Sequence, residues 1–153
     1  EALLPLIDPA HAALLGPRDR QEIIDADVTS LQYFVRLHDD IVLQDGDISS
    51  IGRAAAKHLQ DVAGKWWFHL DFDVLSTAAL PAVRYPQAGG LNWDQLARLT
   101  QSALEVPGLI GWDLTIYNPD LDPTGVGAAR IVEFVARVAP FLPDSSAQVY
   151  ATV

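Results

Sequence analysis

The stretch Lys65-Trp66-Trp67-Phe68-His69-Leu70-Asp71-Phe72-Asp73-Val74 decides how this chain is read. Its density of aromatic and aliphatic side chains predicts a β-strand over Lys65–Val74. Successive side chains of a strand point to opposite faces, so Phe68, Leu70, Phe72 and Val74 share one face. Trp67, His69, Asp71 and Asp73 share the other. The first face is wholly apolar and suits packing against helices. The second becomes ionisable toward its carboxyl end. Two aspartates two positions apart lie roughly 6.5–7 Å apart at the backbone, close enough to converge on one site. In a central parallel strand both faces are covered, and a carboxylate there needs a partner or a cation. Two such groups repel, and one is pushed toward protonation unless a cation intervenes. Hard divalent ions such as Mn²⁺ or Mg²⁺ suit carboxylate ligands. Ligands of open α/β sheets also bind beyond the carboxyl ends of the strands. A bare D-x-D equally fits a solvated strand end or a cap on the following loop, so the residues alone leave both readings open.

Upstream, the apolar run Ala12–Gly16 is broken by Pro17-Arg18-Asp19-Arg20. From Gln21 to about Leu37, Ile23, Ile24, Val28, Leu31, Phe34 and Val35 recur at helical spacing and predict a helix. Ile41-Val42-Leu43, ending at Asp45-Gly46, predicts a short strand. Asp39, Asp40, Asp45 and Asp47 are expected to form a solvated acidic loop. Ile48, Ile51, Ala55, His58, Leu59 and Val62 form one helical stripe, with Ser49 or Ser50 as N-cap, His58 as a packing residue and Gly64 past the end.

Downstream, an irregular segment Leu75–Leu91 carries Pro81, Pro86 and the Gly89-Gly90 turn. Asn92 and Gln95 form a capping box ahead of the stripe Leu96, Leu99, Ala103 and Leu104, which Pro107-Gly108 stops. Leu109–Tyr117 predicts another buried strand. Asp122-Pro123 predicts a helix start, with a stripe from Val126 to Val138 limited by Pro140. The tail Pro143–Val153 is expected to hold a short strand or none. Strands alternating with helices imply parallel βαβ units. The expected class is α/β, a three-layer α/β/α arrangement with a mostly parallel sheet, as one unit spanning residues 1–153.

Composition narrows the function. The chain has 153 residues, enough for one sizeable core. Asp+Glu 20 against Lys+Arg 10 gives a formal charge of −10, which repels phosphate backbones and argues against nucleic-acid binding. No apolar run approaches the roughly 20 residues of a membrane span. With no cysteine, disulfide scaffolds, thiolate metal sites and thiol nucleophiles are excluded, and a cytoplasmic location is expected. The chain also lacks methionine and opens at Glu1, which suggests processing or a piece of a longer protein.

His69-Leu70-Asp71-Phe72-Asp73-Val74-Leu75, followed by Leu80-Pro81-Ala82, Pro86 and Gly89-Gly90-Leu91, resembles the signature of the arginase/agmatinase (ureohydrolase) family. Gly111-Trp112-Asp113 with Asn118-Pro119-Asp120-Leu121-Asp122 resembles the family's E-V-N-P strand. Leu15-Gly16-Pro17-Arg18-Asp19 resembles its I-G-x-R-D strand end. Three separated motifs stand in the family's order, from about Ala12 to Val138. The resemblance implies an arginase-like fold, in part. It also implies a pair of Mn²⁺ ions that activate water for attack on a guanidino- or amidino-type carbon, with Asp71 and Asp73 as metal ligands. The family's G-G-D-H and D-A-H-x-D motifs are absent, so the chain resembles the C-terminal half of a ureohydrolase. The missing ligands would come from an N-terminal half or another subunit.

A small-molecule substrate and a homo-oligomer are what the resemblance implies for partners. No catalytic residue is assigned. His69 is a candidate neighbour of the ligands, or a satisfied core histidine. Asp113 needs a partner in its buried strand. Asp19 would face a substrate or pair with Arg18. Trp66 and Trp67 read as core and interface bulk. Three departures stand out: Ser76-Thr77 replaces the family's third acid, Ile116 replaces the acid that grips a guanidinium, and Arg20-Gln21 replaces the polar set after Arg18-Asp19. An apolar side chain cannot pair with a buried cation, which speaks against arginine or agmatine. The competing readings are a non-catalytic binding or assembly subunit and an inactive fragment.

Overall fold

A computed structural model describes residues 7–83 and 86–143 of the chain. Among the described residues nine regular elements carry the architecture, in the order β1 (Ala13–Leu15), α1 (Arg20–Asp25), β2 (Arg36–His38), α2 (Asp40–Asp45), α3 (Ile48–Ala63), β3 (Trp66–Asp71), α4 (Trp93–Leu104), β4 (Leu109–Thr115) and α5 (Val126–Val138). Short 3-10 turns join them. β1 pairs with β2 and β3 with β4, both in parallel. An isolated parallel bridge, Leu75 to Leu91, extends the carboxyl end of β3. This is the expected α/β class in partial form.

Where sequence signals were local and mutually consistent, the elements form as expected. Asn92 and Gln95 make both reciprocal bonds of a capping box, and α4 buries Leu96, Leu99, Ala103 and Leu104. α3 runs over the expected stripe and ends at Gly64. Its N-cap is Asp47, whose carboxylate accepts from both Ser49 N and Ser50 N, so neither serine caps it. His58 lies half-buried and donates through Nε2 to the Ala10 carbonyl at 2.8 Å.

Elsewhere tertiary packing overrules the local pattern. The expected helix from Gln21 to Leu37 stops at Asp25, and Asp27 takes φ +52. Ile24, Val28 and Phe34 are exposed, so the apolar stripe meets no partner, and a helix without a packed face is marginal. Arg36–His38 pairs with β1 instead. Ile41–Leu43 is helical, not a strand. Asp39 caps it by accepting from Val42 N at 3.0 Å, and Leu43 is fully buried. Asp39 is thus a buried cap paired with Arg20, and Asp47 a cap, so these aspartates are not a free acidic loop. α5 begins at Val126 behind Gly125, later than Asp122-Pro123 suggests. Asp122 instead reaches forward to accept from Ala128 N at 2.9 Å. Beyond Val138 a 3-10 turn, Ala139–Phe141, runs through Pro140. The expectation for the tail falls at residues 144–153, outside the described residues.

Phe68, Leu70, Trp112 and Leu114 lie on one side of the β3–β4 pair and join the core with Leu96, Leu99 and Phe134. Phe72, Trp93 and Phe134 pack together in tilted and edge-to-face contacts with ring centroids 6.0–6.1 Å apart. The opposite side is open. Trp67, expected to be bulk in a core or interface, is 56% exposed, whereas Trp66 is buried.

Candidate functional site

The carboxyl end of β3 is shaped by its own aspartate. The strand was expected to run to Val74 but ends at Asp71, and Phe72–Val74 forms a 3-10 turn. The Asp71 carboxylate accepts from Asp73 N at 2.7 Å, offering the backbone a turn in place of further strand. Asp73 therefore does not stand on the same extended face as Asp71. It comes to the same rim through the turn. Both side chains are half-buried.

One oxygen of Asp73, Oδ1, is buried with no hydrogen-bond partner. Burial pushes the Asp73 carboxyl above its usual range, the negative charge of Asp71 adds to this, and the Arg18 guanidinium opposes it. An orphaned carboxylate oxygen beside a second carboxylate is costly in a bare protein and suited to a cation. The donor set is all oxygen, the preference of hard divalent metals. Among the described residues no group of three or more ligating side chains assembles, so the pair is part of a site at most.

The next residues of β3 and β4 meet on the open face. Register places His69 beside Asp113 and Asp71 beside Thr115. Asp113 accepts from Trp67 Nε1 at 2.5 Å and from His69 Nδ1 at 2.6 Å. These two donors, Trp67 first, hold the Asp113 carboxyl below its usual range. His69 is thus neither a core histidine nor bonded to Asp71. Asp113, expected in a buried strand, is partly exposed and takes its partners from β3. Asp19 is exposed at the start of α1 and enters no salt bridge among the described residues. The expected Arg18–Asp19 pair does not form, because Arg18 turns to the carbonyls of Asp73, Leu75, Gln87 and Ala88.

Two features at this rim escaped the sequence reading. The Thr115 hydroxyl is buried without a hydrogen-bond partner, next to Asp71 in register. Its signal was the polar residue two places after Asp113, on the same face of the strand. Ile116, just beyond β4, takes φ +61, an outlying conformation for a β-branched residue. Nothing in sequence announces it.

The fold is a parallel α/β layer with a pair of acids at the carboxyl rim of its strands, the edge at which open α/β sheets generally place their ligand sites. The chain belongs to the arginase family, whose model matches residues 2–139. Among solved structures it is similar to arginase from Helicobacter pylori, with 18% identity, a TM-score of 0.70 and coverage of 88% of this chain and 45% of that one. Arginase from Bacillus caldovelox matches with 18% identity and a TM-score of 0.71, over 89% and 45% of the two chains. Formimidoylglutamase from Bacillus subtilis matches with 19% identity and a TM-score of 0.68, over 88% and 43%. The chain thus spans less than half the length of these structures. No curated protein matches it in sequence.

Proposed function

We propose that this chain contributes Asp71 and Asp73 as ligands to a binuclear manganese site in a metal-dependent hydrolase of carbon–nitrogen bonds. The observation that carries the reading is the buried, unpartnered Oδ1 of Asp73 beside the Asp71 carboxylate. Membership of the arginase family supports the same chemistry. Bound divalent metal would lower the pKa of water and stabilise the charge that develops on attack at a guanidino- or amidino-type carbon. Asp71 would present the oxygen not used in capping the turn, and Asp73 its orphaned oxygen. Thr115 would supply a hydroxyl at the same rim. The remaining ligands would come from another part of the same protein or from another subunit. The substrate is a small molecule and the setting cytoplasmic. Among the described residues, no helix is long and apolar enough to cross a membrane.

The test is metal content. The whole protein carrying this chain is expected to bind about two Mn²⁺, and Asp73→Ala to abolish most of that binding, read by native mass spectrometry or calorimetry. Unchanged metal content in the variant would sink the proposal.

A second reading, a non-catalytic binding or assembly subunit, is favoured by Ile116 and Ser76, which stand where the usual chemistry of the family needs acids. It predicts no turnover of guanidino, amidino or formimino compounds with manganese supplied. Release of urea, ammonia or formamide from a substrate panel would exclude it.

A further inference from the structure

Arg18 is held in a way that neither an exposed arginine nor a simple ion pair explains. Its Nη1 donates to the carbonyls of Gln87 at 3.0 Å and Ala88 at 3.4 Å. Its Nη2 donates to the carbonyl of Leu75 at 3.3 Å and to that of Asp73. Four acceptors, all backbone, come from two separate segments. One is the turn that bears Asp73, and the other is the loop leading to Gly89-Gly90. Among the described residues Arg18 makes no salt bridge, so its charge is set against carbonyl dipoles and the field of the nearby aspartates.

The surrounding backbone is cut to fit this guanidinium. Gly90 has φ +89, and a Cβ there would lie 2.8 Å from Arg18 Nη1. Two residues before Arg18, Gly16 has φ +82, and a Cβ there would lie 2.6 Å from a Val74 methyl. The end of β1 therefore rests directly on the Asp73 turn, and no side chain fits between them.

We propose that Arg18 is the positioning residue of the paired-aspartate rim: its planar fork clamps the Asp73 turn to the Gly89-Gly90 loop and so fixes where the Asp73 carboxylate points. Five N–H donors in a rigid plane can bridge two strands of carbonyls, which a lysine ammonium cannot do. The guanidinium of Arg18 is directed at backbone carbonyls. It acts through Asp73. This inference rests on the proposal that Asp71 and Asp73 bind manganese.

The experiment measures Mn²⁺ affinity by titration of free-ion EPR signal in the whole protein, with the thermal midpoint recorded for each variant. Arg18→Ala is expected to weaken binding about 10–100-fold, the usual cost of removing a group that orients a metal ligand. Arg18→Lys, which keeps the charge and loses the fork, is expected to stay close to Arg18→Ala. Millimolar guanidinium is expected to restore part of the affinity of Arg18→Ala. Val138→Ala, remote in the core, serves as the control for lost stability and is expected to lower the midpoint with manganese affinity unchanged. Should Arg18→Ala fail to fold, Arg18→Lys decides the question alone. Wild-type affinity in Arg18→Lys, or equal losses in Arg18→Lys and Val138→Ala, would overturn the assignment. If Asp73→Ala leaves metal binding intact, the metal reading itself falls. If Asp73→Ala abolishes binding and Arg18→Lys does nothing, only the role of Arg18 falls.

Discussion

On one side of the β3–β4 pair, Phe68, Leu70, Trp112 and Leu114 point into a helix layer and exclude water. On the other, Trp67, His69 and Asp113 stand open to solvent and hydrogen-bond across the two strands. The same backbone supports both. The apolar side takes its stability from buried area, and any side chain of similar volume and polarity serves. The polar side gains little from an exposed ion pair, since such contacts are screened and cost side-chain entropy. What distinguishes it is direction: Asp113 fixes His69 and Trp67, Asp71 fixes the turn, and Arg18 fixes Asp73. Stability is concentrated on one side of the sheet and chemistry on the other.

Substitutions can break or sharpen that contrast. The largest effect is expected at Phe72, which is 2% exposed and continues the apolar side into the turn. Phe72→Ala should cost about 3–5 kcal/mol in urea unfolding, through lost burial and the cavity left between Trp93 and Phe134. A cost as small as that of Trp67→Ala would erase the distinction between the two sides.

An intermediate effect, of opposite sign, is expected at Asp73. Its carboxyl is raised above the usual 3.8. The stability that goes with this is therefore complete below 3.8 and is lost as pH rises through the folded-state value. Without metal, Asp73→Asn should melt at a higher temperature than the unsubstituted chain at pH 7, and the gap should close in acid. With manganese supplied the order should reverse, because the variant loses the ligand. Asp122 provides the contrary case. The Ala128 N–H first, and the Tyr117 hydroxyl after it, hold its carboxyl below 3.8. Its contribution is present above 3.8 and lost as pH falls, so Asp122→Asn should flatten the acid limb of the thermal melting profile.

The smallest change in stability is expected on the open face. Asp113→Asn and His69→Gln should leave the thermal midpoint nearly where it was, since both side chains are exposed and their pairing is screened. A fall comparable to that of Phe72→Ala would show that the open face carries the fold.

The sequence alone determined the elements whose signals are local. The Asn92–Gln95 capping box, the α3 stripe closed by Gly64, and the alternation of Phe68 and Leu70 against Trp67 and His69 each arise from contacts within a few residues. The family resemblance rested on the same kind of short, ordered motif. Tertiary structure decided the rest, because the deciding partners are far apart in the chain. Asp113 meets His69 across 44 residues, and Arg18 meets the Asp73 carbonyl across 55. A helical period from Gln21 to Leu37 failed where no apolar surface received it, and β-branched residues at Ile41-Val42 became helical because Asp39 capped them and the core took Leu43. Caps and periods propose elements; burial and the pairing of polar groups select among them, and neither is written in any single segment.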